Sequence, residues 1–329
     1  MTKVSAGTGP FKFKQWKRGV SVDLDPNPAY WGGAPKITSL SFLIVPSADT
    51  VFAQYDAGEL DVADIYDAGY RRALRDDRYK DQLVQIPRAQ VRYLGMNQNL
   101  YEPFKNIKVR EAVSLAIDRP GVVRGIFGGA ALVAKGLVTP GTPGYTADLP
   151  DLKFDVARAK QLMAEAGYPD GKGLQPIEIQ STDALKDEIT YYADQFTKVL
   201  GLSVSVKVVE RATFIRAMNA GEVPFFAWAW TIDYPDAASY LNDMWYGASP
   251  YNRPRWKNAE YDKLIDQAKG TAEDAKRYDL YHQAEKIMLA DWGTAVLPVT
   301  AVIGLRKPNV KNAPLTTFGY YMFKDATVE

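Results

Sequence analysis

Apolar and polar residues alternate at the start of this chain, then give way to short apolar runs set between helical spacings. Phe11 to Trp16 alternates aromatic residues with Lys and Gln, and Ser21 to Asp25 alternates again after Arg18-Gly19, which predicts a β-hairpin over 11–25. Ile37 to Val45 reads as a strongly apolar strand. Ser47 then caps a predicted helix over 48–57, Gly58 ends it, and Leu60 to Ile65 is the next strand. This order predicts a βαβ unit with Asp64, Tyr66 and Asp67 at the C-terminal end of its second strand. A helix near 68–74 and strands at 83–86 and 91–96 follow. Asn97 to Phe104 is polar and broken by Pro103, the composition of a crossover between lobes. Helical spacing returns over 109–117 and 122–127, and the Gly- and Pro-rich stretch from Ala130 to Leu152 reads as a long surface loop.

From Asp155 onward the start and stop signals sharpen. Asp155 caps a helix that Gly167 and Pro169 close, and strands at 176–180, 203–209 and 224–230 enclose helices that end at Gly201 and Gly221. A βαβαβ order of this kind predicts parallel neighbouring strands. Its third strand, Pro224 to Trp230, carries no charge, which suits burial on both faces. The run stops at Thr231-Ile-Asp-Tyr-Pro-Asp236, so Asp233 is expected just past the strand end, partly desolvated, where open α/β sheets place ligand contacts. Helices over 259–268 and 272–289, an apolar stretch over 295–305 and a terminal strand with loops complete the pattern.

Length and charge narrow the function classes. A chain of 329 residues has material for two cores, and a net charge of +1 with no basic run argues against a nucleic-acid partner. Cysteine is absent and His282 is the single histidine, so a thiol nucleophile, a His-based triad or a multi-histidine zinc site is not expected. No apolar run reaches the roughly 18 residues of a spanning helix, and the first nine residues have no apolar core of signal-peptide length, so no export signal is expected within them. The glycines at 128–129 and 171–173 fit neither a phosphate loop nor a dinucleotide fingerprint, so no cofactor and no metal are expected.

Two readings of Asp233 stand side by side: a ligand contact awaiting a positive group such as a free amine, and a cap for a helix starting near Pro235. Trp228 and Trp230, two apart, lie on one face of the strand and read either as core or as aromatic wall, with Tyr234 beyond them. Asp233 and Asp236 also read as an acid–base pair of the kind a glycoside hydrolase uses, with polar turn residues as the plain alternative. Asp64, Ile65 and Tyr66 end a strand in the other lobe, with loop filler as the plain alternative. His282 lies among Tyr278, Tyr281 and Glu285 and reads as structural.

Six stretches in order resemble one family: Gly7-Thr-Gly-Pro-Phe-Lys-Phe13 with Asp25-Pro-Asn-Pro-Ala-Tyr-Trp31, Ala57-Gly-Glu-Leu-Asp61, Phe104 to Arg119, Phe154 to Tyr168, and Trp230 to Asp236. Together they look like the oligopeptide/dipeptide class of ABC-transporter solute-binding proteins. The resemblance implies an α/β, periplasmic-binding-protein-like fold, two lobes joined by crossover strands, with one lobe incomplete: residues 1–97 plus 300–329 as a partial first lobe and 98–299 as the second. It implies a non-enzymatic subunit that binds a di- or oligopeptide, or a similar amine-bearing solute, by lobe closure and passes it to an ABC permease. Asp233 then takes the α-amino group beside Trp230, with Trp228 and Tyr234 as further wall, and residues Asp64, Ile65 and Tyr66 contribute from the first lobe. The family's carboxylate-binding arginine corresponds to Ala227, a departure that disfavours long-peptide binding of that type. Family members are longer at the start, so the expectation is a C-terminal portion that acts in the periplasm or on the outer face of the membrane if a signal lies upstream. The alternatives are an oligosaccharide or other solute, a carboxylate-based glycoside hydrolase, and a fragment that needs an N-terminal complementing chain or self-associates.

Overall fold

A computed structural model describes residues 7–65 and 67–329, which fall into two compact units, Met1–Ile86 with Ala301–Glu329, and Pro87–Thr300. In the first unit, β1 (Phe11–Lys17) and β2 (Ser21–Pro26) form the expected hairpin, turning at Gly19 with a φ of 71° that favours glycine. β3 (Leu40–Leu43) adds to β2 antiparallel, and is shorter than the apolar run that encodes it. α1 (Ala48–Asp56) starts where expected, the Ser47 hydroxyl accepting from the Thr50 N–H at 3.4 Å. β4 (Val62–Asp64), α2 (Asp67–Arg75) and β5 (Leu83–Pro87) follow.

The expected βαβ unit does not form. β3 belongs to the sheet of β1 and β2, whereas β4 pairs antiparallel with a strand from the far end of the chain, Gly304 opposite Asp64 and Arg306 opposite Val62. Local periodicity announces a strand but not its partner, and here a distant partner takes the place beside β4.

The second unit carries β6 (Gln90–Met96), α3 (Ile107–Leu115), α4 (Arg119–Gly125), β7 (Ala131–Leu132), α5 (Val156–Glu165), β8 (Ile177–Ser181), α6 (Lys186–Leu200), β9 (Val204–Val208), α7 (Arg211–Ala220), β10 (Phe225–Thr231), α8 (Ala238–Trp245), α9 (Ala259–Lys269), α10 (Asp274–Ala290) and β11 (Ala295–Val296). β12 (Val299–Arg306), β13 (Val310–Lys311) and β14 (Thr327–Val328) end the chain. The main sheet has the order β11-β6-β10-β8-β9. β9, β8 and β10 are parallel neighbours, as the βαβαβ pattern predicts, and β6 runs antiparallel along all of β10, from Phe225 opposite Met96 to Thr231 opposite Gln90. Strand 90–96 is thus interior to this sheet, and the units divide at 86/87 and 300/301, the second within one residue of the expected boundary.

That register sorts the side chains. Leu94, Met96, Phe225 and Ala227 pack with Ile177, Ile179, Val113, Leu162 and Phe196 in one buried core. The other face holds Phe226, Trp228 and Tyr93, with Phe214 of α7 and Trp245 of α8 as ring neighbours. Gly95 is required at the crossing, because a Cβ there would lie 2.1 Å from the Phe226 ring.

Residues 130–152 are not the surface loop that their composition suggests. Leu137, Val138 and Thr139 are buried, and the fully buried Glu285 carboxylate of α10 accepts from the N–H groups of Leu137 at 2.6 Å and Val138 at 3.0 Å. The hydroxyls of Thr139 and Tyr240 meet at 2.5 Å, and His282 Nε2 stands 3.0 Å from the Gly144 carbonyl oxygen, a structural tie. Glycine and proline fix the loop's turns, while a carboxylate brought from far along the chain satisfies its backbone.

Burial pushes the Glu285 carboxyl up to about 7, against the opposing pull of the Val138 and Leu137 N–H groups. A carboxyl raised in the folded state favours folding fully below its unfolded value, and that contribution is lost as pH rises through about 7. Denaturant melts should therefore show stability falling between about pH 4.5 and 7 by on the order of 3 kcal/mol from this group. Glu285→Gln should flatten that slope, and an unchanged slope in the variant would refute the assignment.

Candidate functional site

Burial falls away along β10. Phe225 to Trp228 are buried, Ala229 and Trp230 are half-buried, and Thr231 is exposed; after the buried Ile232, both Asp233 and Tyr234 face solvent. The uncharged run therefore anchors in the core and delivers its polar end to the surface. Asp233 is exposed rather than partly desolvated, because the chain leaves the sheet after Thr231. Its backbone N–H donates to the Ser239 hydroxyl at 3.2 Å. Among the described residues its carboxylate has neither an ion pair nor a hydrogen bond.

Asp233 does not cap the following helix. The helix starts at Ala238, two residues beyond Asp236, and the Asp236 carboxylate accepts from the Ala238 N–H at 2.9 Å, from Arg277 Nη1 at 2.8 Å and from the Tyr278 hydroxyl at 3.3 Å. Asp236 is thus structural, tying α8 to α10. Side-chain hydrogen bonding to Asp236, then to Asp274, raises the Arg277 guanidinium above its ordinary range. The pairing of Asp233 with Asp236 as acid and base loses its second member to these ties. The Tyr234 hydroxyl donates to Asp243 at 2.9 Å, and burial followed by that bond raises its pKa.

The two tryptophans have different surroundings. Trp228 is core, 5% exposed, with Phe214 at 5.8 Å and the guanidinium carbons of Arg211 and Arg253 at 5.1 and 5.0 Å from its ring. Trp230 is half-buried and packs on the exposed ring of Tyr251 at 4.9 Å. The structure brings Trp228, Trp230, Asp233 and Tyr234 together at one strand end of the second unit. Asp64 and Ile65 belong to the first unit, Asp64 exposed at the end of β4 and Ile65 buried with its N–H donating to Ile303 at 3.2 Å. Tyr66 lies outside the described residues.

Sequence reasoning missed Arg253 and Tyr251. Their signal lies in Tyr251-Asn-Arg-Pro-Arg-Trp256, two arginines set among aromatic residues directly before a helix, a pattern that reads as an ordinary loop until β10 is seen beneath it. Among the described residues no cluster of three or more His, Asp or Glu is placed to hold a metal, and no helix is long and apolar enough to cross a membrane.

The profile of the bacterial extracellular solute-binding proteins, family 5 Middle, matches residues 2–252. A heme-binding protein A of Haemophilus influenzae is 29% identical over 98% of this chain and 60% of its own length, and a dipeptide-binding protein of Escherichia coli is 24% identical over 98% and 61%. The structure of HbpA2 from Haemophilus parasuis superposes with a TM-score of 0.87 at 26% identity, covering 98% of this chain and 64% of that one. The chain spans about 60% of the length of these curated relatives. The likeness establishes the periplasmic-binding-protein-like, two-lobed α/β fold.

The contrast between the two aspartates has a measurable consequence. Asp236→Ala should lower stability by roughly 1–2 kcal/mol through loss of the helix start and the Arg277 tie. Asp233→Ala should leave the melting temperature within error of wild type. Equal destabilisation by both would contradict the division of roles.

Proposed function

We propose, for a chain that belongs to the bacterial extracellular solute-binding proteins, family 5, that it binds a small peptide or a similar amine-bearing solute at the end of β10, as the solute-binding component of an ABC importer. The observation that carries this reading is the exposed Asp233 carboxylate, without a cation among the described residues, beside the aromatic wall of Trp230 and Tyr251. Such a group is complementary to a free ammonium, and a charge-assisted hydrogen bond to it contributes about 1.5–3 kcal/mol. Flat aromatic surface next to it accepts varied side chains at little conformational cost.

The names of the relatives point to two solute chemistries, a dipeptide and heme. A dipeptide carries a free amine and heme does not, so an unpaired carboxylate favours the peptide. The permease of the importer is the partner this reading requires, and its place of action is outside the cytoplasmic membrane. The ties of Asp236 to Ala238, Arg277 and Tyr278 weigh against its use as an acid or base beside Asp233, which favours binding over glycoside hydrolysis. The aromatic pair Trp230 and Tyr251 also supports a second reading, an oligosaccharide stacked on the rings.

Calorimetric titration separates these readings. Dipeptides should bind wild type, and Asp233→Ala should weaken them by about 10- to 100-fold, in line with the charge-assisted bond. Unchanged peptide affinity in the variant would sink the amine contact. Oligosaccharide binding indifferent to Asp233 but abolished in Trp230→Ala would favour the second reading.

A further inference from the structure

The sheet of β1, β2 and β3 in the first unit has two unlike faces. Its register sets Phe13, Leu24 and Leu40 in one row and Trp16, Val22 and Phe42 in the next, all on one face. The opposite face is polar, with Lys14 on Asp25 at 2.9 Å and Gln15 on Asp23 at 2.8 Å. A sheet of this kind normally buries its apolar face. Here the Phe323 ring reaches Phe42 at 6.0 Å, yet Phe42 and Ile44 remain 47% and 43% exposed and Trp16 40%.

Its two edges are unlike as well. β1 carries Lys12, Lys14 and Lys17, the charged side chains that keep an edge strand from pairing with another chain. β3 has no such guard, because no residue from Ile37 to Val45 is charged. The Ile44 N–H donates to the Val20 carbonyl at 2.8 Å, which continues the ladder of β3 on β2. By the alternation of an antiparallel ladder, Phe42 also turns its N–H and C=O toward β2, and Ser41 and Leu43 turn theirs to the outer edge. Among the described residues no strand pairs with that edge, and Ser41 to Ile44 are all exposed.

We propose that β3 is an interaction edge whose partner is β3 of a second copy of this chain, paired antiparallel. The outward N–H and C=O groups of Ser41 and Leu43 supply the ladder. Charge decides for a copy: two β3 strands bring no like charges together, whereas two β1 edges would set lysines against lysines. Antiparallel pairing of identical strands generates a two-fold axis and a closed dimer, a sheet of six strands with three from each copy. The apolar face of Trp16, Phe42 and Ile44 then continues across the axis. This inference does not rest on the proposed function, since no solute takes part.

Sedimentation of the full 329-residue chain between about 1 and 100 µM tests the pairing. Wild type should pass from monomer to dimer within this range and stop there. Phe42→Lys places a charge on the exposed edge, and Leu43→Pro removes an outward N–H while sparing the bonds to β2. Each should weaken the dimer by at least about tenfold. Should Leu43→Pro fail to fold, Phe42→Lys at its exposed position still decides, and single cysteines give a second readout. The chain has no cysteine of its own, so Phe42→Cys should form a disulfide-linked dimer on mild oxidation and Lys14→Cys, on the guarded strand, should not. A chain that stays monomeric throughout, a dimer that Phe42→Lys leaves intact, equal cross-linking through both cysteines, or growth beyond the dimer would each overturn the proposal.

Discussion

The antiparallel register of β10 on β6 is the constraint on which the second unit depends. Seven residues of each strand face one another, and a slip of one place would exchange the faces of every side chain along them. In the observed register Phe225 and Ala227 enter the core shared with α3, α5 and α6, while Phe226 and Trp228 meet Tyr93 and Phe214 on the other face. Gly95 permits the Phe226 ring to lie across β6, which makes that register costly to leave. The same pairing fixes where β10 ends, and so where Trp230 and Asp233 emerge.

Charge is then divided by position. On the core face, Arg92 is buried with Glu188 beside Phe127. At the strand end, Asp236 is bound into the helix start and to Arg277, and Asp233 is left to solvent. On the aromatic face, the buried Arg253 donates to Asn219 and has no acid as partner among the described residues.

Much of the fold was legible because its signals are local. The hairpin at 11–25, the caps at Ser47 and Asp155, the glycine stops at 201 and 221 and the parallel β8, β9 and β10 all follow from neighbouring residues. What escaped the sequence was long-range pairing. β4 takes β12 as its partner, β6 joins β10, and Glu285 packs the loop at 137–138 from the other end of the unit. The candidate site was half legible for the same reason. A carboxylate at the end of an uncharged strand stood out, but the exchange of roles between Asp233 and Asp236 depends on Arg277, and Arg253 gains meaning only beside Trp228 and Trp230.

The central claim is that Asp233 is held apart from the protein's own network in order to meet a ligand cation. A crystal structure of the chain with a bound dipeptide tests it most directly. The account predicts the peptide's amine nitrogen about 2.7–3.2 Å from an Asp233 carboxylate oxygen, with Asp236 still on Arg277. A peptide seated with its amine away from Asp233, or an Asp233 carboxylate turned to solvent in the complex, would contradict it.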